Sequence, residues 1–171
     1  GEVKALPKRA TPIDFAYLVH TDVGHTCVGA RVNGKMVPLR THLKSGDIVE
    51  VVTTNGHKPS RDWLNFVATP RARNRIKHFI HAEEKARALE LGKKFVDKEI
   101  RRFNLSSKKV LDPEKLTAVA DELGSKKVDD LFTAVGYGKL APGNVLAKLV
   151  PHDKLVEASA ETGLRSVVRR V

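Results

Sequence analysis

Two histidines and a run of cations are the side chains of this 171-residue chain that are best suited to binding a ligand. His20 and His25 flank the turn-forming residues 21–24. A histidine offers a flat aromatic face on which a base can stack, and ring nitrogens that can bond to ribose or phosphate. Further along the chain, four cations stand at every second position: Arg71, Arg73, Arg75 and Lys77. This combination of residue types is typical of a nucleic-acid contact.

The positive charge of the chain is concentrated in one segment. The formal net charge is +11, and residues 59–110 hold 14 Lys/Arg against six Asp/Glu, whereas residues 111–171 hold nine of each. Clustered cations indicate a polyanion partner, because neutralising phosphates releases condensed counterions. Most charge runs are nevertheless solvated helix faces, so composition alone leaves both interpretations open.

A capped apolar helix is predicted to lead into the two histidines. Thr11 can cap it, Pro12 suits its first position, and Asp14 lies three residues after the cap. Because apolar side chains fill most of residues 13–19, the helix has little solvent face and should pack on a sheet.

The sheet is predicted from short strand patterns. Asn33-Gly34, between strand-like runs at 28–32 and 35–38, indicates a hairpin, because Asn-Gly accepts the positive φ angles of a type I′ turn. A tight turn at 43–47 leads into a strand over 48–53, and residues 3–6 predict an earlier strand. A helix with such short strands is the plan of a small β-grasp module.

Helices are predicted to follow the sheet. After a linker at 55–59, a short helix capped by Ser60 carries Trp63, which we expect to anchor two modules rather than to stack on RNA. Thr69-Pro70 begins a basic helix whose apolar stripe loses phase at 81–85, so two helices or one bent helix are expected. Three more helices are predicted over 113–123, 128–135 and 142–150, and residues 151–171, ending SVVRRV, are expected to be a loose helix or disordered.

Several of these stretches resemble known families. TPIDFAYLVHTDVGH, GARVNGKMVPL and LKSGDIVEVVT resemble the TGS domain, a ubiquitin-like β-grasp module. SRDWLNF with RARNRIK, and later AVGYG, resemble the join and helical region of the RelA/SpoT-type (p)ppGpp synthetase/hydrolases. The resemblance implies an α+β chain: a TGS domain at 1–56, a junction with a short helix at 57–69, an all-α domain at 70–150, and a linker towards C-terminal domains at 151–171. TGS domains of this family begin one strand earlier, which implies a piece of a longer protein.

The resemblance also implies a function in the stringent response. The loop at His20 and His25 would face the 3′-CCA end of deacylated tRNA on the ribosome, with His25 as the stacking residue and Arg31 and Lys35 near the phosphates. His20 is instead expected to bond a free carbonyl at the end of its helix. The basic helix would contact tRNA or ribosomal RNA.

No catalytic motif, phosphate loop or metal pattern can be found in the sequence, so we expect no catalytic residue, metal or cofactor here. The resemblance implies that the catalytic domains of the parent, a GTP pyrophosphokinase, a (p)ppGpp 3′-pyrophosphohydrolase or both, precede the TGS domain. A single cysteine, Cys27, excludes an internal disulfide, and no apolar run approaches a bilayer span. A soluble, cytoplasmic protein is expected.

Two other functions remain open at this point. In some relatives the TGS domain binds acyl carrier protein, whose acidic surface would also suit the basic helix. Alternatively, the chain could be an intramolecular regulator that restrains the catalytic domains of its parent and contacts RNA only incidentally.

Overall fold

The computed structural model describes residues 1–162, in which the chain divides into two compact units, Gly1–Glu83 and the residues from Glu84 onward. The first unit holds a small antiparallel sheet in the order β2-β1-β3. Its elements are α1 (Pro12–Val19), α2 (Thr21–His25), β1 (Cys27–Val32), β2 (Lys35–Val37), β3 (Val49–Thr53) and a short 3-10 helix (Arg61–Asn65). Helices then dominate: α3 (Pro70–Arg102), α4 (Ser107–Val110), α5 (Pro113–Glu122), α6 (Val128–Gly136), α7 (Pro142–Leu149) and α8 (His152–Thr162). The predicted α+β class is confirmed.

Turn chemistry sets the register of the sheet. Asn33 and Gly34 have φ angles of +54° and +83°, which confirms the type I′ hairpin between β1 and β2. The strand predicted at residues 3–6 is wrong, because no strand of the described sheet pairs with this segment and Val3 is fully exposed. A strand pattern without a hydrogen-bonding partner does not form a strand.

The core of the first unit lies between α1, the sheet and the start of α3. Ile13 and Tyr17 of α1 are fully buried together with Cys27 of β1 and Ile76 of α3. Trp63 is buried in the same cluster, which fits the anchoring role expected from the sequence.

A buried carboxylate joins the beginnings of two helices. Asp14 completes the capping box of Thr11 at α1, as predicted. The same carboxylate accepts hydrogen bonds from the backbone N–H groups of Ala68 and Thr69 and from the Thr69 hydroxyl, at 2.8–3.1 Å. Thr69 in turn caps α3 by accepting from the N–H of Ala72. The first turns of α1 and α3 are therefore held in a fixed relation.

The second unit packs around side chains from the later turns of α3 and from α5 to α8, among them Val96, Ile100, Leu131 and Leu146. The helices α3 and α6 approach closely where Gly92 lies against the carbonyl of Phe132, since a Cβ at Gly92 would overlap that oxygen. Gly92 is therefore required for this crossing.

Three helical predictions need correction or extension. Of the two alternatives predicted for the basic segment, the structure has one continuous helix, α3, whose stripe changes phase because its first turns bury side chains in one core and its later turns in the other. The short helices α2 and α4 were not predicted. Residues 152–162 form α8, whereas the predicted SVVRRV tail lies outside the described residues. Among residues 1–162, no helix is long and apolar enough to cross a membrane.

Candidate nucleic-acid interface

His25 lies in the last turn of α2, where its imidazole is bound to a buried tyrosine. The hydroxyl oxygen of Tyr17 is 2.8 Å from Nδ1 of His25. Burial raises the pKa of the Tyr17 phenol, so the hydroxyl keeps its proton. Among residues 1–162, Nδ1 of His25 is the only hydrogen-bond partner of this buried hydroxyl, so the O–H donates to Nδ1 rather than remain unsatisfied. In the neutral imidazole the ring proton then resides on Nε2. The hydrogen bond thus assigns the tautomer, and Nε2–H is the donor left for a ligand.

The ring of His25 is half-buried between two aromatic side chains. The Phe79 ring of α3 lies 4.8 Å away, centroid to centroid, and the Tyr17 ring meets it edge-on at 5.3 Å. The predicted loop between the two histidines is instead the helix α2, which places the ring of His25 against Tyr17 and Phe79. The proposed contact of His25 with a base stays a prediction, now with one ring face partly occupied.

Gly24 makes this arrangement possible. A Cβ at Gly24 would overlap the Tyr17 ring, so only glycine lets α2 lie directly on that ring. Tyr17, Gly24 and Phe79 are therefore positioning residues that the sequence interpretation missed. The glycine immediately before His25 was the one available signal for them.

The surroundings favour the neutral form of the His25 imidazole. Burial lowers its pKa most, Asp22 opposes this effect, and electrostatic repulsion from Arg75 and His78 lowers the pKa further. Arg75 and His78 are thus electrostatic neighbours of His25, contributed by an exposed face of α3. We call Tyr17, His25, Arg75, His78 and Phe79 the His25 site.

The stability of the protein should fall as the pH drops below about 6.5, the pKa of an unperturbed histidine. Because the folded pKa of His25 is lowered, the unfolded chain takes up the proton first. The stability that this pKa shift contributes is fully present above the pKa of His25 in the unfolded chain. It is lost as the pH falls through the lower pKa of His25 in the folded protein, at no more than about 1.4 kcal/mol per pH unit. Urea unfolding of the wild type and of His25→Gln at about pH 7.5 and about pH 5.5 measures it. The variant should lose this part of the pH dependence, and identical profiles would contradict the assignment.

His20 has a different structural role from the predicted one. Its Nδ1 accepts the backbone N–H of Asp22 at 3.1 Å, so it caps the beginning of α2. The expected bond to a free carbonyl at the end of α1 is therefore wrong. The imidazole is exposed, and a role in RNA contact stays a prediction.

Arg31 and Lys35 lie at the far end of the hairpin. Arg31 is four residues further along β1 than Cys27, which follows α2 closely, and this corresponds to about 13 Å of strand. Arg31 also forms an exposed ion pair with Glu50 on β3, with Nη1 3.3 Å from Oε2. The structure therefore does not bring Arg31 or Lys35 next to His25, although both are exposed.

The four predicted cations of α3 differ in availability. Arg73 is partly buried and donates to the carbonyls of Leu64 and Val67 at 3.0 and 2.9 Å, which removes it from the exposed surface. The other three, Arg71, Arg75 and Lys77, are exposed. His78, three residues after Arg75 on the same helix face, is the contributor that the sequence interpretation missed.

The His25 site combines an N–H donor of fixed direction with positive charge. Such a pair can bond a ribose or phosphate oxygen and neutralise part of the backbone charge. Cys27 is buried, and burial raises the pKa of its thiol to about 11. No group of His, Cys, Asp or Glu within residues 1–162 is arranged to hold a metal ion.

Comparisons with known proteins agree with this architecture. Residues 1–53 match the TGS domain and residues 79–150 match the RelA/SpoT AH domain. A GTP pyrophosphokinase of Myxococcus xanthus is 47% identical over 160 residues, which cover 94% of this chain and 21% of that protein. The bifunctional (p)ppGpp synthase/hydrolase RelA of Mycobacterium tuberculosis is 43% identical over 152 residues, covering 88% and 21%.

A third relative is named for a different activity. A probable guanosine-3′,5′-bis(diphosphate) 3′-pyrophosphohydrolase of Synechocystis is 39% identical over 170 residues, covering 97% of this chain and 22% of that protein. The chain thus spans roughly a fifth of the length of the relatives it matches.

Proposed function

Because the chain belongs to the RelA/SpoT family, of which it holds the TGS domain and the AH domain, we propose that it is a regulatory segment of an enzyme of (p)ppGpp metabolism that senses the 3′-CCA end of deacylated tRNA. Its relatives are named for synthesis, for hydrolysis or for both. A segment shared by opposite reactions is better suited to control than to catalysis. The reaction itself, pyrophosphoryl transfer or its reversal, would belong to catalytic domains of the parent chain.

The observation that carries this proposal is the bond between Tyr17 and Nδ1 of His25. It leaves the Nε2–H of a neutral imidazole as a single donor beside the cationic side chain of Arg75. The terminal nucleotide of a tRNA offers ribose hydroxyls, a phosphate and a base within one small volume, and these groups match such a donor and cation. His25 would bond the ribose or stack on the base with its uncovered face.

Discrimination would come from exclusion. An aminoacyl group is attached to the 3′-terminal ribose, so a close-fitting site for the free ribose rejects charged tRNA by steric overlap. Exposed cations such as Arg71 and Lys77 would hold the backbone of tRNA or ribosomal RNA without reading sequence.

The test is binding of the 171-residue chain to one tRNA in its uncharged and aminoacylated forms, at about 50 mM and about 200 mM salt. We expect tighter binding of the uncharged form, and a steep loss of affinity for both forms at the higher salt concentration. The dissociation constants can be measured by fluorescence anisotropy. Equal affinity for the two forms would contradict sensing by this chain, even if the salt dependence were as expected.

A further inference from the structure

Two large apolar side chains are exposed next to each other on α3. Leu91 and Phe95 are 38% and 43% exposed, and their spacing of four residues places them on one face of the helix. The core-facing side chains of the same helix segment are different ones: Ala88, Val96 and Ile100. We call Leu91 and Phe95 the α3 ridge. Because the core does not need it, the ridge is a candidate contact for a partner.

Three cations surround the ridge. At 100° per residue, Arg87, Lys94 and Lys98 fall within the same third of the helix surface as Leu91 and Phe95. All three are exposed, and none of them belongs to an ion pair within residues 1–162. Other cations of this helix are paired: Lys85 with Asp130, Arg101 with Asp97 and Arg102 with Glu99. The positive charge around the ridge is therefore uncompensated.

We propose that the α3 ridge docks an amphipathic helix of an acidic protein, whose apolar stripe covers Leu91 and Phe95 and whose carboxylates pair with Arg87, Lys94 and Lys98. The positive charge of this face favours a negatively charged partner, and the exposed apolar area favours a partner helix with an apolar stripe. From Arg87 to Lys98 the helix rises about 16 Å, so the contact matches roughly three turns of a partner helix.

The composition of the ridge favours a protein partner over RNA or a second copy. Leu91 has no flat face for base stacking, and a phosphate backbone laid over it would leave its apolar surface unpaired. A second copy carries the same net charge of +11 and would be repelled at this surface. Glu90 lies at the edge of this face, three residues after Arg87 and four before Lys94, but one carboxylate among three cations leaves the face with a net positive charge.

Binding of a designed peptide tests the proposal. The probe is a labelled amphipathic helix of about 18 residues with a leucine stripe flanked by glutamates; a shuffled peptide of the same composition and a single-stranded RNA serve as comparisons. With the full 171-residue chain, we expect the amphipathic peptide to bind at least tenfold more tightly than the shuffled one. Phe95→Ser and Lys94→Glu should each weaken that binding by roughly tenfold.

Matched variants separate the ridge from general surface properties. Val156→Ser removes an equally exposed apolar side chain from α8, and Lys93→Glu reverses a charge about 100° around the helix from Lys94. Neither should change peptide binding by more than about twofold. The proposal is overturned if the shuffled peptide binds as well, if Lys93→Glu costs as much as Lys94→Glu, or if only the RNA binds.

Discussion

Asp14→Ala should lower the free energy of unfolding of the first unit by about 3–5 kcal/mol. The carboxylate is buried and accepts from the N–H and hydroxyl of Thr11, the N–H and hydroxyl of Thr69, and the N–H of Ala68. Alanine would leave these donors without their acceptor, those of Thr11 in a fully buried position and those of Ala68 and Thr69 in a partly buried one. Buried unsatisfied donors cost more than the net value of the hydrogen bonds they lose.

The expected effect reaches the candidate interface as well. The clamp by Asp14 fixes the first turn of α3, and α3 carries Arg75, His78 and Phe79 to the imidazole of His25. Loss of the carboxylate should therefore increase amide hydrogen exchange over residues 66–80 first, before the whole unit unfolds.

Urea unfolding followed by Trp63 fluorescence measures the Asp14 prediction, since that side chain lies in the core of the same unit. Asp22→Ala is the matched control: this carboxylate is exposed, and its loss should cost less than about 0.5 kcal/mol. If both variants unfold at the same urea concentration, Asp14 is not a stabilising clamp.

Only the contacts of Asp14 with residues close to it in sequence could be predicted from the sequence. Thr11 and Asp14 are three residues apart, so a capping box could be predicted, and it is confirmed. The partners at residues 68 and 69 are more than fifty positions away, and no local pattern indicates them. The hairpin at Asn33-Gly34 was likewise predictable, because its turn depends on two adjacent residues alone.

The candidate site shows the same division. His25 and Arg75 were identified by residue type, but their proximity follows from packing of α2 and α3 that no spacing along the chain encodes. Arg73 matched the pattern of an exposed cation, yet its guanidinium binds two carbonyls of the junction. A side chain with five donors can satisfy backbone groups as readily as phosphates, and sequence does not distinguish the two.

His25→Glu should abolish any preference for uncharged over aminoacylated tRNA. The substitution removes the Nε2–H donor and the remaining ring face, and it places a negative charge where the ribose–phosphate end would lie. We expect the affinity for uncharged tRNA to fall at least tenfold, to the level of the charged form, in the anisotropy assay. His20→Asp is the matched control, because it introduces the same charge nearby while keeping a good helix cap. A preference lost only in His20→Asp would move the site to that histidine.

Tyr17→Phe tests the hydrogen bond from the Tyr17 hydroxyl to His25 without changing the packing of the ring. The ring that packs against Gly24 and His25 is kept, and only the hydroxyl that donates to Nδ1 is removed. Without that donor the imidazole proton can occupy either nitrogen, so part of the population no longer presents Nε2–H to the ligand. The affinity for uncharged tRNA should therefore fall by roughly two- to fivefold, while that for aminoacylated tRNA stays unchanged. If Tyr17→Phe binds both forms as the wild type does, His25 acts through stacking alone; if it weakens both equally, the hydroxyl serves only the fold.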